Sequence, residues 1–306
     1  MIRKILVTGS SGVIGTRLCE KLLNEGYEVT GVDKRTNKWN KTVNNLTIKC
    51  DLLDTRAIKM LPTDFDLVFH LAANSRVMES VEEPEKGLEN ITMTFNILNF
   101  LRKNKISKIA FASSREVYGE GRIEPYKEAD VILDNIKNPY AASKVACEAL
   151  IQAFKHCYGV EYVIFRLSNV YGMYDETDRV IPLFIKLLKQ NKPLKIYGED
   201  KSLDFIYIDD VVDGMIRAIK KFDKIKNNTF NLCSGKVTKI VEVAQTLKKI
   251  TDSKSKIQIC PERTGEVSYF RGDFSKAHDS FGFAPKTDLE KGLRLAVSWY
   301  CKNLYL

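Results

Sequence analysis

The stretch "VTGSSGVIG", residues 7–15, constrains the fold of this chain more than any other. It joins a short β-branched run, "KILVTG" (4–9), to an amphipathic run, "VIGTRLCEKLLNEG" (13–26), that closes on Gly26. A strand-to-helix turn this tight asks for Gly9 at the bend, Gly12 where backbone must approach a pyrophosphate, and Gly15 where helix packs on strand. The helix start adds free N–H groups and a partial positive charge. The next run, "YEVTGVD" (27–33), ends on Asp33, 18 residues after Gly15, where a carboxylate can accept hydrogen bonds from ribose hydroxyls. These spacings predict a dinucleotide cradle formed by Gly9, Gly12, Val13, Ile14, Gly15 and Asp33. An acid at 33 favours NAD, because it would repel a 2′-phosphate; Lys34 and Arg35 beside it soften that preference. Asp51 and Leu52 suit the adenine end.

Further strands are expected at 45–51, 65–73 and 107–114, with a helix over 84–103 and another from about Tyr140. The strands are almost continuously apolar, as they are when helices cover both faces of a sheet. Strands alternating with helices predict an α/β fold: a doubly wound parallel sheet. "EYVIFRLSNVYG" (161–172) reads as one more strand of it. Beyond about 167 the elements shorten and turns crowd together, which predicts a smaller C-terminal α/β lobe. The expected division is 1–167 for cofactor and 168–306 for substrate, with some later segments returning to the first domain and a cleft between the two.

The seven cysteines show no CxxC, and the three histidines have no ligand spacing, so neither a disulfide framework nor a metal site is expected. No apolar run approaches a membrane span, and no signal peptide is read at the N-terminus, which predicts a cytoplasmic protein. The formal charge of +9 comes mainly from lysines spread along helices, without a basic tail or aromatic-interleaved stripe. That pattern argues for a solvated surface over nucleic-acid binding.

Two segments look chemical. "ASSREVYGE" (112–120) ends an apolar strand, and "NPYAASK" (138–144) opens a helix with Tyr140 four residues before Lys144. A phenol is a poor base at neutral pH, but a lysine one helical turn away and a cationic nicotinamide can lower its pKa. The phenolate could then take a proton from a sugar hydroxyl as hydride leaves the same carbon, with a strand-end serine holding the oxygen.

Taken with "HLAA" (70–73), Asn90, "RLSNVYG" and "DFIYIDDVVDG", these segments resemble the extended short-chain dehydrogenase/reductases, the NAD-dependent nucleotide-sugar epimerases and dehydratases. The resemblance runs along essentially the whole chain. It implies Tyr140 as base, Lys144 as its partner on the nicotinamide ribose, and Ser114, preceded by Ser113, at the catalytic serine position. It adds Lys34, Leu71, Ala72, Ala73 and Asn90 on the cofactor side. On the substrate side stand Ser75, Ser114, Arg115, Asn169, Arg179, Tyr197 and Arg263, with Arg263 implied as a diphosphate ligand. Asp273 matches a signature of the family whose role the residues do not reveal. A homodimer through helices near 88–103 and 140–157 is also implied, although both could equally be internal core faces.

Three residues discriminate among reactions. A 4,6-dehydratase would carry an Asp–Glu pair where this chain has Arg115–Glu116, and a guanidinium cannot protonate a leaving hydroxyl. A uronate decarboxylase resembles "TRAF" where this chain has "SLDF", with Leu203 at the arginine position. Epimerases resembling this chain also often carry that arginine, so Arg263 and Arg179 are expected to carry the diphosphate. The preferred reading is a UDP-sugar 4-epimerase, with a dehydratase or decarboxylase using Glu116 as the alternative and a non-catalytic NAD-binding regulator as a distant third. Glu116 reads either as a catalytic carboxylate or as the partner of Arg115. Arg115 or Arg179 could favour an acidic sugar such as UDP-glucuronate.

Overall fold

The computed structural model describes residues 2–121 and 124–304. Seven parallel strands form the central sheet: β1 (Lys4–Thr8), β2 (Glu28–Asp33), β3 (Thr47–Lys49), β4 (Leu67–His70), β5 (Lys108–Ser114), β6 (Glu161–Leu167) and a late-arriving seventh, Asn228–Leu232. Five further strands make up the smaller sheets: β7 (Asn169–Tyr171), β8 (Leu194–Tyr197) and β9 (Ser202–Tyr207) precede that seventh strand, which is therefore β10, and β11 (Val237–Lys239) and β12 (Ile257–Cys260) follow it. The order in the large sheet is β10-β6-β5-β4-β1-β2-β3. The direction of winding reverses between β1 and β4, and that switch point is where open α/β sheets leave a crevice at their carboxyl ends.

Helix Val13–Asn24 follows β1 directly and buries Gly15, Leu18, Cys19 and Leu22 against the sheet. Helices Glu85–Lys103 and Pro139–Tyr158 pack together on one face, where Met93, Ile97, Leu101, Cys147, Ile151 and Phe154 are buried. On the other face a second core runs without a break from the large sheet into the C-terminal elements, taking in Phe165, Phe184, Val212, Phe230 and Leu293. The two parts of the chain thus share one apolar interior, which fixes their relative position.

The stretch 161–172 is two strands. Ser168 separates them: its N–H donates to the Leu232 carbonyl (3.1 Å) and its hydroxyl to the Asp204 carbonyl (2.6 Å). β6 stays in the large sheet, while β7 pairs with β9 in a three-stranded sheet ordered β11-β9-β7. β12 and β8 form a third, two-stranded sheet. The chain therefore crosses from one sheet to the next at Ser168, and β10 crosses back.

Candidate active site at the carboxyl edge of the sheet

The glycine turn is built as tightly as its spacing demands. Gly9 has φ of +74°, and a methyl group on it would lie 2.8 Å from the Ala72 nitrogen. A methyl group on Gly15 would sit 2.0 Å from the Gly9 carbonyl oxygen, an impossible contact that fixes glycine there. Gly12 is the N-cap of helix Val13–Asn24 and lacks a side-chain cap, so the helix start stays open to an anion. Asp33 ends β2 at 8% exposure and accepts hydrogen bonds from the Ser11 N–H (3.0 Å) and the Arg35 N–H (2.9 Å). Beyond it opens a groove of about 590 Å³ lined by Lys34, Arg35, Lys49, Cys50, Asp51 and Ala57. Glycines that let backbone approach a phosphate, a buried acid for a ribose and a groove for a base fit a dinucleotide. Asp51 is at the rim of that groove, whereas Leu52 is 4% exposed and belongs to the core.

Leu71, Ala72 and Ala73 follow β4 beside the turn, and the Ala72 N–H donates to Thr8 Oγ1 (3.3 Å). Asn90 lies deeper. At 3% exposure it accepts from the Asn74 N–H (2.7 Å) and donates to the Asn74 carbonyl (3.1 Å) and Ser143 Oγ (3.2 Å). Its amide is thus committed to tying the loop after β4 to helix Pro139–Tyr158. His70, fully buried, is held by Thr8 and Thr94, and burial with the Lys144 charge drives its pKa down to about 3.

Asn138 caps helix Pro139–Tyr158, accepting from the Ala141 N–H (2.8 Å) with proline at the first helical position. This start places Tyr140 and Lys144 on one face against the end of β5. Burial pushes the Tyr140 phenol up to about 12; the adjacent Ser114 hydroxyl lowers it, the Glu116 carboxylate raises it, and the Arg179 and Arg115 charges pull it down. The lysine expected to acidify it turns aside: Lys144 Nζ donates to the Ala112 carbonyl (2.7 Å), 5.9 Å from the centre of the phenol ring. Burial lowers the Lys144 ammonium itself to about 8.

Ser113 and Ser114 part company because neighbours on a strand point to opposite faces. Ser114 lies beside the phenol and accepts from the Glu116 N–H (3.2 Å). The Ser113 hydroxyl instead donates to Glu148, which is 2.7 Å from Arg166 in a buried ion pair. Ser113 therefore belongs to the sheet interior, away from the phenol. Arg115 and Glu116 open a short 3-10 turn over 115–118 and face each other at 2.8 Å. Arg115 Nε donates to Asn169 Oδ1 (3.2 Å), and Glu116 accepts from Asn138 Nδ2 (3.2 Å). Asn169 also donates to the Asp204 carbonyl (2.8 Å).

Across the crevice, Arg179 pairs with the buried Asp175 (3.1 Å) and donates to Ser75 Oγ (2.7 Å), joining the segment after β7 to the loop after β4. The Arg263 guanidinium stacks on the Tyr197 ring, 3.6 Å from its centre. Leu203 is 6% exposed and packed in the core.

Three features that shape the crevice have no counterpart in the sequence analysis: Asn138, the Glu148–Arg166 pair and the acceptor Asp204. Asn138 carries a signal, since Asn-Pro ahead of a helical run is a cap signature. The others carry none. Arg166 lies inside an apolar strand, and Asp204 takes the N–H groups of Ser234 and Gly235 (both 2.8 Å) from a loop distant in sequence.

Residues 5–233 match the model of the NAD dependent epimerase/dehydratase family. The chain belongs to that family. Among its relatives is a putative UDP-glucose 4-epimerase of Methanocaldococcus jannaschii, 35% identical over 98% of this chain and 99% of that protein. The family member is also similar to the crystal structure of UDP-glucose 4-epimerase with UDP-glucose from Thermotoga maritima, with TM-score 0.90 and 30% identity over 98% and 99% of the two chains. UDP-glucuronic acid 4-epimerase from Bacillus cereus, in complex with UDP-glucuronic acid and NAD, aligns with TM-score 0.90 and 28% identity, again over 98% and 99%. All three resemblances span 98% of this family member, both sides of the crevice included.

Proposed function

We propose that this protein is an NAD-dependent UDP-sugar 4-epimerase. The observation that carries the reading is the meeting of Tyr140, Ser114 and Lys144 at the carboxyl edge of β5, on the crevice that the glycine turn and Asp33 also border. The end-to-end similarity to 4-epimerases on either side of that crevice supports it.

NAD, when bound, supplies the carrier that accepts a hydride and gives it back. The residues of this chain do the rest. Gly9, Gly12, Val13, Ile14 and Gly15 hold the diphosphate, Asp33 the adenosine ribose, and Lys34, Asp51 and Leu71–Ala73 flank the cofactor. Tyr140 takes the proton from the sugar 4-hydroxyl, and Ser114 donates to the oxygen that becomes a carbonyl. Lys144 holds the nicotinamide ribose and adds its charge near the phenol, against the burial that keeps the phenol protonated. After the 4-keto sugar turns over, Tyr140 returns the proton to the opposite configuration. Arg263 and Tyr197 bind the nucleotide diphosphate side, while Asn169, Ser75 and Arg179 line the sugar side. Asn90 acts by holding the loop after β4 in place.

A dehydratase or decarboxylase would need Glu116 free to act at C5, and its pairing with Arg115 and Asn138 argues against that. We also propose a homodimer through helices Glu85–Lys103 and Pro139–Tyr158, because Leu88, Phe95 and Tyr158 are 65%, 45% and 53% exposed there. Phe95→Glu should halve the mass measured by light scattering. The seven free cysteines, six of them partly or fully buried, fit a cytoplasmic setting. Among the described residues no helix is long and apolar enough to cross a membrane.

The test is to incubate purified protein with UDP-glucose, UDP-GlcNAc and UDP-glucuronate and follow products by NMR. Inversion at C4 is expected with at least one. Loss of water or CO₂ would overturn the reading.

A further inference from the structure

Arg115 is 9% exposed, and its three nitrogens fare differently. Nη2 pairs with Glu116 Oε1 at 2.8 Å, and Nε donates to Asn169. Nη1 is buried without any hydrogen-bond partner, the one such side-chain atom among the described residues. A buried donor left unpaired is costly, so a native chain that keeps one usually supplies the partner from elsewhere. The surroundings indicate where. Arg115 follows Ser114 directly, its charge reaches the Tyr140 phenol, its Nε bonds Asn169, and its guanidinium carbon lies 5.4 Å from the centre of the Phe270 ring.

The chemistry of that partner follows from charge. The guanidinium is already neutralised by Glu116, whose other oxygen is occupied by Asn138. Arg179, the second cation acting on Tyr140, is likewise neutralised, by Asp175. A hydroxyl or acetamido carbonyl would satisfy Nη1 and add no charge. A carboxylate would bring an uncompensated anion into a buried site that already holds the Glu116 carboxylate. We propose that the Arg115–Glu116 pair is a specificity element that offers its spare donor to a neutral sugar substituent and thereby selects neutral hexoses over hexuronates. This rests on the epimerase reading above, and it reverses the simple expectation that an arginine beside the sugar favours an acid.

The experiment compares kcat/KM for C4 inversion of UDP-glucose, UDP-GlcNAc and UDP-glucuronate in the wild type, Glu116→Gln and Arg115→Gln. The wild type should prefer a neutral sugar by at least about tenfold. Glu116→Gln leaves the cation uncompensated and should shift the ratio toward UDP-glucuronate by about tenfold or more. Arg115→Gln should lower kcat/KM for the preferred neutral sugar without gaining the uronate. Should either variant fold poorly, the wild-type ratio and the Kd values of the three sugars, measured by calorimetry, decide the matter alone. Equal or better use of UDP-glucuronate by the wild type overturns this inference and leaves the epimerase reading standing. Inversion of none of the three overturns both.

Discussion

Tyr140 is pulled in two directions. Burial and the Glu116 carboxylate hold its proton, whereas Ser114, Arg179 and Arg115 loosen it. Removing the phenol oxygen should therefore stop proton transfer and little else: Tyr140→Phe is expected to lower kcat by about 10²–10⁴-fold while NAD affinity, read by fluorescence titration, stays within about twofold. Much of this was legible from single residues. Tyr140 and Lys144 could be singled out because a helix-turn spacing is visible in a sequence, and Ser114 because the family resemblance points to one serine of a strand end. What was not visible was the direction of each side chain. Ser113 and Ser114 look equivalent as letters, and only the strand's alternation sends one to Glu148 and the other to the phenol. Nor does spacing show that Lys144 Nζ bonds to the Ala112 carbonyl.

At the scale of elements, the glycine turn was legible because sterics leave it little freedom. Gly15→Ala would place a methyl group 2.0 Å from the Gly9 carbonyl oxygen. The helix must move away, and the substitution should cost at least about 1–3 kcal/mol in urea unfolding and weaken NAD binding. Glu148 and Arg166 bind helix Pro139–Tyr158 to β6 through a buried pair at 2.7 Å. Glu148→Ala leaves a buried guanidinium uncompensated and should cost about 3–5 kcal/mol by the same measurement. The break at Ser168 was not foreseen. "EYVIFRLSNVYG" is apolar throughout, and periodicity cannot say which neighbour a strand will pair with. That choice is made by Asp204 and Leu232, whose carbonyls capture Ser168 from segments far along the chain.

For the whole molecule, the buried titratable groups set how stability responds to pH. His70 has its pKa lowered from 6.5 to about 3, so the unfolded chain binds the proton first. Stability should fall as pH drops from about 6.5 toward 3, by up to about 1.4 kcal/mol per pH unit from this group. Lys144 is lowered from 10.5 to about 8, so its burial costs stability at neutral pH and that cost is relieved as pH rises from 8 toward 10.5. Denaturant unfolding across this range should show the acid slope, and His70→Asn should flatten it. The layout of the first half was legible in its strand–helix alternation. That later segments return to the first domain was expected, but not that the segment is β10 or that both lobes share one interior, since these depend on contacts across long separations. What unites the molecule is the crevice at the switch point, where a sugar is to be oxidised and reduced at one carbon. Turnover of a UDP-hexose deuterated at C4 tests this most directly. Full retention of deuterium at C4 of the inverted product, with no solvent exchange at C5, is predicted; loss of the label to water, or exchange at C5, would contradict it.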